Sequence, residues 1–234
     1  MAEPNDFSIA KFSSLVAQRR VLLRSFCFMG ALALPQSANA YDSEQFQSAI
    51  ESLSPATVAE WEQKAKSGNV LAQNVLGMAY KYGRGTEQNH ARSLQWFRAA
   101  ADQGDADAQF NLGRIYGKAF GTYAKLRAAP HDEVQAVYWY CKSAEQGYLP
   151  AQSSLAEIYA EGSQGIARDY VKAYYWMSLA GAAGDAAASR KLESYATHLT
   201  ASEIIDAQAL VANWNGRQAS ARARGAKSFP QHSR

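Results

Sequence analysis

The sequence predicts an all-α chain folded as a right-handed α-solenoid of stacked antiparallel helix pairs. Three observations lead there. Trp96, Trp139 and Trp176 are each followed eight residues on by a glycine, at Gly104, Gly147 and Gly184. Those glycines, and Gly68 before them, are each followed four residues later by Ala72, Ala108, Ala151 or Ala188. The four glycines stand 36, 43 and 37 residues apart. A period of that length belongs to repeat architectures, in which one helix pair cannot enclose a core and must stack on the next.

Each cycle holds two helical patterns. In the first, Ala72, Leu76 and Tyr80 recur as Ala108, Leu112, Tyr116 and as Ala151, Leu155, Tyr159. A spacing of four places these side chains on one helical face. Gly77, Gly113 and, in the third copy, Ala156 sit beside that face. Glycine inside a helix costs about 1 kcal/mol against alanine, which predicts a close approach by a neighbouring helix. The second pattern opens on Asn89, Asp132 or Asp169, residues that cap helix starts, and runs through small residues to the tryptophan. Tryptophan brings a large area to bury in each copy. The closing glycine ends the helix in the left-handed conformation. Gly83-Arg84-Gly85, Gly117 to Gly121, and Gly162 to Gly165 are the turns between the two helices.

The strings Ala72 to Gly104, Ala108 to Gly147 and Ala151 to Gly184 resemble Sel1-like repeats, relatives of the tetratricopeptide repeat. The A-x3-L-G-x2-Y first helix, the G-x-G turn and the W-x7-G second helix carry the resemblance, which covers residues 68 to 214. Before it, residues 41 to 67 read as N-terminal capping helices; Pro55 to Gly68 looks like a second helix without its partner, started by Ser54 as cap with proline at the first helical position. After Gly184, Ala188, Leu192 and Tyr195 repeat the first helix, with Glu193 in place of glycine. Thr200-Ala-Ser-Glu203 is a capping box that opens a closing helix to Trp214. Residues 215 to 234, without apolar periodicity, are expected to be a disordered basic tail.

Residues 1 to 40 read as a cleavable signal peptide. Gln18-Arg-Arg-Val-Leu-Leu-Arg24 is basic, Ser25 to Leu34 is apolar and too short for a bilayer span, and Ala38-Asn39-Ala40 is a small-residue cleavage site that leaves Tyr41 first. Arg19-Arg20 also resembles in part a twin-arginine signal, with Gln18 and Leu22 departing from that pattern; general secretory and twin-arginine export both stay open. Either places the product in the periplasm or outside the cell. With Cys27 in the leader, Cys141 is expected to stand alone as a buried thiol without an intramolecular disulfide.

The whole chain carries a net charge of +3, but the ends supply it. Met1 to Ala40 has four basic and two acidic residues, and Arg217 to Arg234 has five basic and none acidic, leaving Tyr41 to Gly216 at −4. A mildly acidic solenoid offers no general nucleic-acid surface. No metal site, cofactor motif or catalytic constellation is recognisable: the four histidines are scattered, and no nucleophile elbow or phosphate-binding glycine loop occurs.

Two features differ between copies. Repeat two is lengthened between Gly117 and Asp132, and the insertion carries Lys118, Tyr123, Lys125 and Arg127. It reads either as part of a binding face or as a tolerated loop. The second feature follows from the resemblance, which implies that the concave face is lined two before, two after and five after the leucine of each first helix. Those positions are Asn74, Met78 and Lys81; Phe110, Arg114 and Gly117; Ser153, Glu157 and Ala160. Phe110 with Arg114, one turn apart, is the strongest anchor pair by residue type, the other reading of Phe110 being core. The resemblance implies an exported adaptor of the bacterial envelope that binds a protein or peptide without catalysis. Its rival is the cell-wall-active or β-lactam-interacting hydrolase activity attributed to some secreted relatives. No partner and no oligomeric state can be named from the sequence.

Overall fold

The computed structural model describes residues 41–117, 131–163 and 165–227. The signal peptide and the insertion residues Lys118, Tyr123, Lys125 and Arg127 lie outside the described residues. Helices in chain order are α1 (Ser43–Glu51), α2 (Pro55–Lys66), α3 (Val70–Tyr82), α4 (His90–Asp102) and α5 (Ala106–Tyr116). They continue as α6 (Glu133–Glu145), α7 (Leu149–Glu161), α8 (Tyr170–Ala182), α9 (Ala188–Ala196) and α10 (Ala201–Lys227). No strand occurs among the described residues; Ser163 and Ile166 form an isolated bridge in the α7–α8 turn. Each helix packs on its chain neighbour from α2 to α9, and α10 packs back on α8, so the fold is the α-solenoid the repeat predicts.

The helix starts are capped by the residues the pattern names. Asn89, Asp132 and Asp169 accept hydrogen bonds from Arg92, Gln135 and Lys172 backbone N–H groups at 3.0 Å each. The backbone N–H of each cap residue in turn donates to the carbonyl of the first-helix tyrosine: Asn89 to Tyr80, Asp132 to Tyr116 and Asp169 to Tyr159, at 2.8–2.9 Å. One side-chain bond and one backbone bond thus fix where the second helix begins relative to the first.

The repeat boundary is equally regular. Gly104 has φ 96° and Gly147 φ 86°, and the residue after each donates back into the helix, Asp105 N–H to Ala100 O at 3.2 Å and Tyr148 N–H to Ser143 O at 3.3 Å. This is the Schellman closure, which only a residue tolerant of positive φ permits at low cost. A glutamine then locks repeat to repeat: Gln73, Gln109 and Gln152 donate from Nε2 to the carbonyls of Ala65, Ala101 and Ala144 at 3.1–3.2 Å. All three are buried, so each adds a second donor to a carbonyl that water cannot reach and that also accepts the N–H of Gly68, Gly104 or Gly147.

The core follows the period. Ala72, Leu76, Ala108, Leu112, Ala151 and Leu155 are wholly buried, and Trp139 and Trp176 nearly so, whereas Trp96 and Tyr116 are half-buried. A Cβ built on Gly77 would lie 2.6 Å from the Phe97 ring, and one on Gly113 would lie 2.5 Å from the Tyr140 ring. The close approach that the interior glycines predict is therefore an aromatic face laid flat on the first helix.

Three expectations are corrected. Helix α2 does not open the chain's helices alone: α1 precedes it, started by a reciprocal capping box between Asp42 and Gln45, and buries Ala49 and Ile50 against Val75 of α3, with Trp61 of α2 packed on the same cluster. The last helix does not end at Trp214, and residues 215 to 227 are not a disordered tail: α10 runs to Lys227. Residues 217 to 227 are dominated by alanine and arginine, strong helix formers, and the half-buried Trp214 and Gln218 hold the helix on α6. Trp214 lies against Gly147, and Gln218 Nε2 donates to Glu145 O at 3.4 Å. Cys141 is buried but disulfide-bonded, not a lone thiol; the chain's other cysteine, Cys27, lies outside the described residues.

Candidate functional site

The Schellman turns place Asp105, Tyr148 and Asp185 at the head of α5, of α7 and of the turn into α9. Each of these meets the residue two before the leucine in the preceding first helix. Asn74 Nδ2 donates to Asp105 Oδ1 at 3.2 Å, the Phe110 and Tyr148 rings are 5.3 Å apart, and Ser153 Oγ donates to Asp185 Oδ2 at 2.7 Å. Three of the sequence-predicted lining residues are thus engaged between repeats, by a different chemistry in each copy.

Asn74 is withdrawn from any surface. It is 0% exposed, and its Nδ2 also donates to the Tyr41 hydroxyl at 2.6 Å. Asp105, 2% exposed, accepts from Ala108 N–H at 2.7 Å as the cap of α5. Burial pushes its carboxyl up to about 6, against the opposing pull of the Ala108 N–H and the Tyr41 phenol. The Tyr41 phenol is itself held well above its ordinary range, first by burial and then by the Asp105 charge. Sequence reasoning missed both residues. Asp105 was legible as a cap, but Tyr41 lies 33 residues from Asn74 and carries no local signal.

Lys81 is also buried. Its Nζ donates to Asn111 Oδ1 at 3.4 Å and lies 4.9 Å from the Tyr82 ring. Burial, and then the nearby Arg114 guanidinium, lower its ammonium to about 8. The His90 imidazole is lowered by burial and next by Lys81. At the other end of the surface Glu157 is exposed and pairs with Lys191.

The middle of the surface is aromatic. The half-buried Phe110 ring stands 5.6 Å from Tyr140 and 5.3 Å from Tyr148, and the Arg114 guanidinium lies 5.6 Å from the same ring. Met78, half-buried, packs on the cores to either side of it. This arrangement sets a partly wetted aromatic cluster beside a cation, a combination suited to anchoring an apolar side chain next to an acidic or carbonyl group. Tyr148 is the residue a closer reading could have found: Asn69, Asp105 and Asp185 follow the other repeat glycines, and tyrosine breaks that series.

Among the described residues no group of three His, Cys, Asp or Glu side chains could hold a metal ion. Ser153 and Lys81, the nucleophile and base types of the candidate surface, are bound to different partners, Asp185 and Asn111. No helix among the described residues is long and apolar enough to cross a membrane.

Comparison with known proteins matches the Sel1 repeat family at residues 70–105, 106–148 and 149–185. A solved Sel1 repeat protein from Oxalobacter formigenes is 34% identical with a TM-score of 0.50, over 59% of this chain and 98% of that one. A protective antigen of uropathogenic Escherichia coli with an SLR fold superimposes at a TM-score of 0.57 and 28% identity, over 78% of this chain and 37% of the antigen. In Arabidopsis thaliana the ERAD-associated E3 ubiquitin-protein ligase component HRD3B is 39% identical over 56 residues, 24% of this chain and 9% of that protein. The chain thus spans about a tenth of the length of the curated relatives it matches.

Proposed function

Because the chain belongs to the Sel1 repeat family, we propose that it is a scaffold without catalysis of its own, which holds a protein or peptide segment along its first-helix face in the bacterial envelope. The observation that carries the reading is the Phe110 cluster. Aromatic and arginine side chains dominate interface energetics, and here Phe110, Tyr148 and Arg114 meet on the face that varies between copies. Met78, Ser153 and Glu157 extend that face along the neighbouring repeats, whereas Asn74 supports it from within. The packing positions beside it repeat almost unchanged, which is what a rigid frame presenting an independently tuned surface requires. That the Arabidopsis relative is an E3 ubiquitin-protein ligase component agrees with a role in assembly. Export rests on the basic, apolar and A-x-A order of residues 18 to 40.

Crosslinking and pull-down of the tagged chain from its own envelope fraction tests the reading. Phe110→Ala with Arg114→Ala should remove a specific captured band while leaving the circular dichroism spectrum unchanged. Capture that survives the double substitution moves the site away from this cluster.

A further inference from the structure

We propose that residues 41–51 form a displaceable strap over the repeat-one end of the first-helix face, and that the partner segment which replaces it carries a tyrosine ahead of a short helix. The inference rests on the binding role proposed for that face and adds what occupies one end of it in the unbound chain.

Two of the three lining positions of repeat one meet this segment. Asn74 is 0% exposed, and its Nδ2 donates to the Tyr41 hydroxyl at 2.6 Å and to Asp105 Oδ1 at 3.2 Å. Met78 packs on the cluster that Ala49 and Ile50 of α1 make with Val75 of α3. The Tyr41 ring is buried and stacks on Phe46 at 5.7 Å and 24°. Phe110 and Ser153, which hold the place of Asn74 in the later repeats, are half-buried. The face is therefore covered in its first repeat and partly open in the next two.

The cover is lightly held. Of the nine residues of α1 only Ala49 and Ile50 are buried. The box that starts the helix is confined to the segment itself, Gln45 N–H donating to Asp42 Oδ1 at 2.7 Å and Asp42 N–H to Gln45 Oε1 at 3.3 Å, so it stays intact when the segment lifts. An element with so few buried contacts opens at less than the cost of global unfolding. Its fit is also incomplete, because Asn74 Oδ1 is buried and receives no donor from the described residues.

The site beneath selects its occupant. A replacement for Tyr41 must fill a ring-sized space and accept from Asn74 Nδ2 next to the buried Asp105 carboxyl. A phenol does both, its oxygen taking the amide hydrogen while its O–H lies beside Asp105. An aliphatic side chain fills the space but leaves that amide hydrogen unsatisfied.

A fluorescein-labelled peptide of residues 41–52, added to the full 234-residue chain, tests this by anisotropy. In the parent the tethered strap competes with the peptide. Tyr41→Phe removes only the strap's hydroxyl, and Tyr41→Ala removes its ring as well. Peptide affinity should rise severalfold in the first and at least about tenfold in the second, as the tethered competitor weakens. The same peptide carrying Tyr41→Phe should lose most of that gain. If Tyr41→Ala does not fold by circular dichroism, Tyr41→Phe alone decides. Affinity equal in the parent and every folded variant, or no binding to any, overturns the strap and leaves the Phe110 reading to its own pull-down. Binding to the Tyr41→Phe chain that Phe110→Ala removes and Asn74→Ala leaves puts the peptide in the middle of the face, overturning the strap while favouring the binding role. A parent that is dimeric by light scattering, and monomeric as Tyr41→Phe or Tyr41→Ala, gives the strap to a second copy and overturns the partner assignment.

Discussion

Asp105→Asn should stabilise the folded chain at neutral and alkaline pH and lose that advantage in acid. Asp105 is 2% exposed, and burial raises its carboxyl from an ordinary 3.8 to about 6. A carboxyl raised on folding binds its proton more tightly in the native state, so its ionisation opposes folding. Below pH 3.8 both states are protonated and no penalty exists; between 3.8 and about 6 the penalty grows; above about 6 it is complete. Two pKa units at 1.36 kcal/mol each give an upper figure of about 3 kcal/mol. Asparagine caps a helix about as well as aspartate, so the bond from Ala108 N–H is kept while the buried charge goes. Urea denaturation from pH 4 to 8 reads the difference as a shift in midpoint at constant slope against denaturant. The variant should be the more stable protein at pH 8, by up to about 3 kcal/mol, with the gap closing as pH falls through 6 toward 4. Parallel stability profiles for parent and variant across that window would refute the argument, because the Asp105 carboxyl would then titrate alike in both states.

Two further substitutions probe the frame. Gly113→Ala drives a methyl to 2.5 Å from the Tyr140 ring and should lower stability by about 1–3 kcal/mol despite alanine's better helix propensity. Adding Tyr140→Met should recover part of that loss in the same urea assay, and a double variant no better than the single would show that the ring is not the obstacle. Gln109→Ala removes two hydrogen bonds at a buried position, one from its Nε2 to Ala101 O, which keeps the Gly104 N–H, and one from Gln146 Nε2 to its Oε1. It should cost about 1–3 kcal/mol, whereas Gln103→Ala, at an exposed position, should cost under about 1 kcal/mol. Equal effects at the two sites would remove the repeat-locking role assigned to Gln109.

Much of the frame was legible because its causes are local and recur. Caps at Asn89, Asp132 and Asp169, the turn after each tryptophan helix and the Ala-Leu-Tyr face each need only a dozen residues to read, and each appears three times. The elements that escaped have other causes. Helix α1 starts on an Asp42-Gln45 box outside the repeat period, and α10 past Trp214 is helical by propensity and by contacts at Trp214 and Gln218, not by an apolar stripe. The interior glycines were read as close approaches without the partner being visible. Phe97, Tyr140 and Met177 occupy the same place, one after the tryptophan, and the first-helix residues are Gly77, Gly113 and Ala156. A flat ring requires glycine, and the copy with methionine, an unbranched side chain that adapts to irregular gaps, carries alanine.

That same coupling limits what variation between copies can reveal about a partner. Asn74, Phe110 and Ser153 differ, and in the middle copy the residue met differs too: Asn74 and Ser153 each donate to a carboxylate, Asp105 and Asp185, whereas Phe110 pairs with the Tyr148 ring. A position can therefore vary because its neighbour in the next repeat varies, with no ligand involved. Asn74 and Ser153 direct hydrogen-bonding groups into such pairs, and Glu157 is paired with Lys191. Phe110 makes its pair through a tilted ring contact and remains half-buried, with the Arg114 guanidinium beside it. A half-buried ring can still pack against a partner, whereas Asn74, at 0% exposure, presents no atom to one. The inter-repeat pairs thus narrow a nine-position face to its middle, and they make Phe110 and Arg114 the substitutions on which the proposed binding role should stand or fall.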